Sequence, residues 1–286
     1  LGLSRDGAHG VTRPTLHFVK HSEFIPRLVA ALLLLTALLL SGCASSRHTS
    51  SVPFRVGDTT VHFLVHQHRL PGPTYINVHD DENTSVHAGK RILKEHGGRL
   101  IELTHSGKRL VVFELDGETY RFDPNRIFSS VGVRATLERT RNYSEAAQRE
   151  IEAFTGEFIA AFGLDQEPAI IALHNTGGGG LTINSYLADG NRPNTASATH
   201  VSPKRFPGDF FYVTDRRFFD YLKARDYNVT LQDDANVPDD GSASVYFARK
   251  GIPYVNVEAD VNRLSEQIEM VRVARAMVEH FGLVRR

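Results

Sequence analysis

The chain of 286 residues contains one cysteine and no tryptophan, and its 33 basic side chains are balanced by 33 acidic ones. A single thiol cannot close an intramolecular disulfide or build a multi-cysteine zinc or iron–sulfur site. With no surplus of positive charge, the chain does not read as a protein that tracks phosphates, and no nucleic-acid partner is expected. No internal repeat is apparent. What is present is 41% apolar and 9% aromatic residues, enough for a substantial core in one large domain or two small ones.

The lone thiol is Cys43. Before it runs an apolar stretch from Leu28 to Leu40, broken only by Thr36, with Lys20 and Arg27 upstream and Ser41 and Gly42 directly after. Thirteen residues are too few to cross a hydrocarbon core of about 30 Å, so the segment reads as a secretory signal rather than a spanning helix. Leu40-Ser41-Gly42-Cys43 resembles the bacterial lipobox, which implies cleavage before Cys43 and acylation of its thiol. Residues 1–42 are therefore read as signal peptide together with mis-assigned upstream sequence, and residues 43–52, Ser-rich and without apolar periodicity, as a lipidated tether. The catalytic domain is expected over 53–286.

From Pro53 onward strands and helices alternate. Val61–Val65 and Thr74–Val78 read as strands around the Pro71-Gly72-Pro73 turn. Ser85 is a candidate cap for a helix that Gly97-Gly98 ends. Leu100–Leu103 and Arg109–Phe113 read as strands joined through Ser106-Gly107. Ser144 opens a helix in which Ile151, Phe154, Phe158, Ile159 and Phe162 recur at three- and four-residue spacing. Ala169–Leu173, Phe211–Val213 and Pro253–Val257 are short apolar runs suited to buried strands. Asp215 can cap a helix from Arg216, and a closing helix carries Leu264, Ile268, Val271, Met277 and Phe281. The pattern predicts an α/β fold with a mixed, mostly parallel central sheet and helices on both faces.

Four clusters sit where these strands end, the place at which open α/β sheets bind ligands. His79-Asp80-Asp81-Glu82 offers an imidazole and a carboxylate to one cation. Asp123-Pro124-Asn125-Arg126-Ile127-Phe128 offers the planar fork of Arg126 and the amide of Asn125 to a carboxylate. Leu173-His174-Asn175-Thr176 adds a second histidine, followed by four glycines, Gly177 to Gly180. The strand ending in Glu258 delivers one carboxylate that needs a partner or a task.

In that order, H-x-x-E, D-x-N-R-x-F, L-H-N and a strand ending in Glu resemble the zinc carboxypeptidase superfamily, and the strings D-P-N-R-I-F and L-H-N-T look most like its aspartoacylase and succinylglutamate desuccinylase branch. Asp240-Gly241-Ser242 ahead of Gly251-Ile252-Pro253-Tyr254 adds to the likeness. The resemblance implies one Zn²⁺ held by His79, Glu82 and His174, Glu258 as the base that takes a proton from water, and Asn125 and Arg126 as the dock for a substrate carboxylate. It implies hydrolysis of an amide bond beside a free carboxylate, without a covalent intermediate or organic cofactor.

There are departures. No tyrosine lies between Val229 and Asp240, where the carboxypeptidases carry one, and Tyr246 fits poorly on spacing. The arginine that polarises the carbonyl has no clear match, since Arg109, Arg121 and Arg134 read as surface side chains; His87 reads as solvated. Only 28 residues follow Glu258, too few for aspartoacylase's C-terminal β-domain, so its substrate specificity is not expected to transfer.

The resemblance to a lipobox implies a lipid-anchored protein of the cell envelope facing the periplasm, and Ala44 after the cysteine favours the outer membrane. The expected substrate is a short peptide of murein type, cut by carboxypeptidase or amidase action. An N-acyl amino acid deacylase and a non-catalytic peptide-binding envelope lipoprotein are the alternatives; a binding module has no need of Glu258.

Overall fold

The computed structural model describes residues 48–177, 180–192, 195–233 and 237–285. Cys43 and the apolar run before it lie outside the described residues, as do Gly178 and Gly179. Eleven strands are described: β1 (His48–Val56), β2 (Thr59–Gln67), β3 (Thr74–Asn77), β4 (Arg99–Thr104), β5 (Val111–Leu115), β6 (Glu118–Phe122), β7 (Ile170–Thr176), β8 (Ala198–His200), β9 (Phe210–Val213), β10 (Val229–Leu231) and β11 (Tyr254–Asp260). The α-helices are α1 (Asn83–His96), α2 (Ser130–Arg139), α3 (Glu145–Phe162), α4 (Arg216–Lys223), α5 (Ala243–Arg249) and α6 (Leu264–His280).

Nine strands form one mixed sheet in the order β1-β2-β4-β3-β7-β11-β9-β10-β8, and β5 and β6 make a separate hairpin. The centre, β4-β3-β7-β11, is parallel, and antiparallel pairings join it to the flanks. Side-chain alternation along β7 explains its wholly apolar start. Ile170 and Ala172 enter the core covered by α2, α3 and α5, while Ile171 and Leu173 enter the one covered by α1, α4 and α6. Helices therefore cover both faces, as the sequence pattern predicts.

The first core is aromatic. Phe63 on β2 is 1% exposed, and its ring centre lies 5.5 Å from Phe54, 5.1 Å from Phe158 and 5.5 Å from Phe162. With no compensating side chain nearby, Phe63→Ala is expected to destabilise the fold by about 3–5 kcal/mol, measurable by urea unfolding.

Three expectations change. His48–Val52, read as tether, forms the first half of β1, paired with β2 from His48↔Gln67 to Val56↔Thr59. Its side chains are mostly exposed, so no apolar period marks it, and a polar edge strand guards against pairing with other chains. The strand expected at Arg109–Phe113 begins instead at Val111 and folds back on β6, not on β4. The cause is Asp116-Gly117, which take φ of 52° and 81° and set the two-residue hairpin turn. Helix α1 begins two residues before the expected Ser85 cap. Glu82 occupies the cap position, and the Ser85 hydroxyl donates to the Glu82 carbonyl at 2.8 Å.

Candidate metal centre

β3 leads through α1 to β4 on one side, and β7 pairs with β11 on the other, so the chain reverses direction of growth between β3 and β7. A crevice opens at the carboxyl ends of strands at such a point. His79 and Glu82 leave β3 there, and His174 stands near the end of β7.

The three side chains converge. Glu82 Oε1 lies 2.8 Å from His79 Nδ1, Glu82 Oε2 lies 2.8 Å from His174 Nδ1, and the two Nδ1 atoms are 3.2 Å apart. All three residues are buried, and their ligand atoms lie within 4.8 Å of one another. One shared proton can satisfy only part of such a cluster of facing lone pairs; a divalent cation satisfies all of them. Two imidazole nitrogens and a carboxylate are a donor set that would suit a divalent metal ion such as zinc.

Neighbours fix each ligand. Asp123 Oδ1 accepts from His79 Nε2 at 2.9 Å, which turns Nδ1 toward the cluster. Asp123 is itself held by the Asn125 amide at 2.9 Å. Arg109 donates through Nη1 to Glu82 Oε1 at 2.8 Å, and its Nε lies 3.6 Å from Asp123 Oδ2. The Gln267 amide donates to the His174 carbonyl at 2.8 Å and accepts from Asn175 Nδ2 at 2.7 Å. Asn175 Oδ1 receives the Ser85 amide at 2.7 Å, tying β7 to the first turn of α1.

The electrostatics are those of a closed ion cluster. Burial opposes charge on His79, but Glu82 and Asp123 outweigh it and hold the imidazolium up to about 9. Burial likewise opposes ionisation of Glu82, yet His174 and His79 keep its carboxyl well below the usual range. Asp123 is lowered in the same way: burial opposes its ionisation, and the hydrogen bond and charge of His79, with Arg109 and the Asn125 amide, together outweigh it. The oxygens of the site are therefore ionised at neutral pH, and cation binding must displace the His79 proton. Asp123→Asn is expected to weaken zinc binding about 10- to 100-fold, read from a chelator competition titration, because it removes the charge that orients His79.

Register places the candidate base. Glu258 pairs directly with His174 across β11 and β7, so the two side chains share a face about 5 Å apart at the backbone. Glu258 is buried, accepting from Thr176 Oγ1 at 2.5 Å and Asn256 Nδ2 at 3.0 Å. Burial raises its pKa, with His174 pulling the other way.

A cavity of about 360 Å³ joins these groups, lined by Glu82, His174 and Glu258 together with Asn125 and Arg126. The Asp123–Phe128 loop is clamped there by Gly132 and Gly241, which both pack against the Arg126 carbonyl. The Phe128 amide donates to the Gly241 carbonyl at 2.9 Å, and a Cβ on Gly241 would lie 2.5 Å from the Arg126 carbonyl at a φ of +73°. Arg126 Nη1 donates to the Asn125 carbonyl at 2.8 Å and stands 3.7 Å from Asp240. Asn125 is partly committed: its Oδ1 accepts from the Ala243 amide at 3.2 Å, which leaves its side-chain NH₂ for a ligand.

All six expected site residues in the described chain thus meet in one place. Arg109, read as a surface side chain, instead reaches the cluster and lines the cavity; the loop after β4 carries it there, and no local pattern marks that. Arg121, Arg134 and His87 are exposed, as expected. Tyr246 donates to Asp165 at 2.9 Å and is not part of the cavity lining. Tyr186, Tyr212 and Tyr254 do line it, and sequence reasoning had no signal for their role.

No family model matches the sequence, and no curated protein does. Among solved structures, the fold is similar to an aspartoacylase family protein from Mesorhizobium loti, at 14% identity and a TM-score of 0.43 over 85% of this chain and 69% of that one. It is similar to a succinylglutamate desuccinylase from Silicibacter sp. TM1040, at 14% identity and a TM-score of 0.44 over 85% and 69%. It is also similar to the tripeptide-bound cell shape determinant Csd4 from Helicobacter pylori, at 14% identity and a TM-score of 0.42 over 75% and 53%. At these levels the chemistry of the site rests on its own side chains.

Proposed function

We propose that the chain is a zinc-dependent hydrolase that cleaves an amide bond next to a free carboxylate, acting as a carboxypeptidase or amidase on short peptides. The observation that carries this reading is the convergence of His79, Glu82 and His174 in one cavity with a buried Glu258 in register beside them and Arg126 facing the same space. A divalent ion held by the three ligands supplies Lewis acidity, making water a nucleophile near neutral pH.

The chain's own groups do the rest. Arg126 and the Asn125 NH₂ bind the substrate carboxylate and set the distance from it to the scissile carbonyl. Glu258, in its ionised form, takes the proton from the attacking water as the C–O bond forms. It returns that proton to the nitrogen as the C–N bond breaks, leaving a free acid and a free amine. Arg109, beside Glu82, is the group placed to offset negative charge on the carbonyl oxygen. The buried base and the docking arginine favour catalysis over simple peptide binding, which needs neither a raised carboxyl nor a metal.

The lipobox-like Leu40-Ser41-Gly42-Cys43 supports a lipid anchor on Cys43 and a periplasmic setting, with Ala44 favouring the outer membrane. In that setting murein-type peptides are the substrate class, and N-acyl amino acids the second. A mass-spectrometric screen of both against the zinc-loaded chain tests the reading. Release of the carboxylate-bearing residue supports it, and failure to hydrolyse any of them sinks it. Metabolic labelling with a palmitate analogue tests the anchor, with label lost in Cys43→Ser.

A further inference from the structure

The wall of the cavity beyond Glu258 is built from one face of the sheet. Tyr254, Asn256 and Glu258 alternate along β11 on that face, Tyr212 pairs with Asn256 across β9, and Gln232 follows β10, where its amide donates to the Val213 carbonyl at 2.8 Å. All of them line the cavity. Two of their atoms are unusual: Asn256 Oδ1 and Gln232 Oε1 are buried, and no donor among the described residues reaches either. Gln232 as a whole is only 6% exposed. A buried acceptor without a hydrogen bond carries an uncompensated desolvation cost, so two of them on one wall need a reason.

The orientation of Asn256 is fixed by its neighbour. Its NH₂ donates to Glu258 Oε2 at 3.0 Å, the arrangement that an ionised Glu258 requires, and this turns Oδ1 away from Glu258. Several other donors near this wall are engaged already. The Tyr212 hydroxyl bonds Ser244, and the Ser242 and Ser244 hydroxyls lie 3.0 Å apart. Of the cavity's arginines, Arg109 is bound to Glu82, Arg126 stands by Asp240 and Arg192 is exposed.

The order along β11 says which part of a ligand meets these oxygens. Arg126, Tyr254, Asn256 and Glu258 line one cavity, and both Glu258 and Arg126 bear on the Tyr254 hydroxyl, which burial and Glu258 raise and Arg126 lowers. A residue whose carboxylate docks on Arg126 and whose amide bond meets Glu258 lies within this cavity, and along its β11 wall Tyr254 and Glu258 stand four residues apart, about 13 Å at about 3.3 Å per residue. Asn256 falls between them, under the residue that carries the free carboxylate. We infer that Asn256 and Gln232 are specificity determinants that read an N–H donor, a carboxamide or an ammonium, on the side chain of that residue. An acidic side chain would set its oxygens against two more acceptors, and an aliphatic one would leave both unpaired. This rests on the proposed hydrolysis and narrows its substrate class.

The test compares N-acetyl-alanyl-X peptides with X as glutamine, lysine, glutamate or norleucine, using the zinc-loaded chain and its Gln232→Leu variant. Glutamine or lysine is expected to exceed glutamate and norleucine at least about tenfold in kcat/KM, and Gln232→Leu to shrink that ratio to about twofold. The faster of the first two tells carboxamide from ammonium. Equal kcat/KM across the four, or a ratio untouched in Gln232→Leu, overturns the inference while leaving the hydrolase reading intact. If no peptide is cleaved, that reading fails, and calorimetry with free glutamine, lysine and norleucine decides the pocket separately. Preferential binding of a donor-bearing amino acid, lost in Gln232→Leu, supports it, and equal binding overturns it.

Discussion

Glu258→Gln is expected to lower kcat/KM for peptide hydrolysis by about 10²- to 10⁴-fold with little change in zinc content. The substitution keeps the shape and the hydrogen-bonding length of the side chain, so Thr176 and Asn256 retain a partner, but it removes the site that accepts the proton. The pH profile carries the same information in the unaltered protein. Burial raises the Glu258 pKa, so its ionised form is lost as pH falls through a value above the ordinary carboxylate range of about 4.3. Activity should therefore be full above that value and decline below it, with the acid limb displaced upward. A rate in Glu258→Gln within a few-fold of the parent would remove this residue from the mechanism.

His174→Ala is expected to abolish both metal binding and hydrolysis while leaving the far-ultraviolet circular dichroism unchanged. It deletes one of only two nitrogen ligands, and the next residue on β7, Asn175, is committed to Ser85, Ala259 and Gln267. The fold should survive, since Glu82 keeps His79 and Arg109 as partners. His174→Ala protein that retained zinc and hydrolysed peptide at the parent rate would rule out the ligand set.

Much of this site can be read from the sequence because its residues sit at the ends of strands with strong patterns. Ala169–Leu173 is apolar on every residue because both faces of β7 are covered, and that marks His174 as a strand-end side chain. His79 and Glu82 follow β3 for the same reason. What depends on pairing between distant segments is hidden. Nothing local says that Glu258 lies opposite His174, and β8 and β10, at three residues each, are too short to show a period. Arg109 and Tyr186 act from loops, where a side chain's destination is set by tertiary contacts. Gln267 is buried on an otherwise amphipathic helix, a polar residue in an apolar stripe. That mismatch is a usable signal, since such a residue needs a partner, here the His174 carbonyl. The edge strand β1 was disguised by the same polarity that keeps it soluble.

The most direct test of the central claim is elemental analysis of the purified chain alongside Glu82→Gln. One zinc per chain in the parent, and none retained by Glu82→Gln after the same dialysis, is the expected result. Parent protein that holds no divalent metal even after incubation with zinc, or equal metal in both proteins, would contradict it.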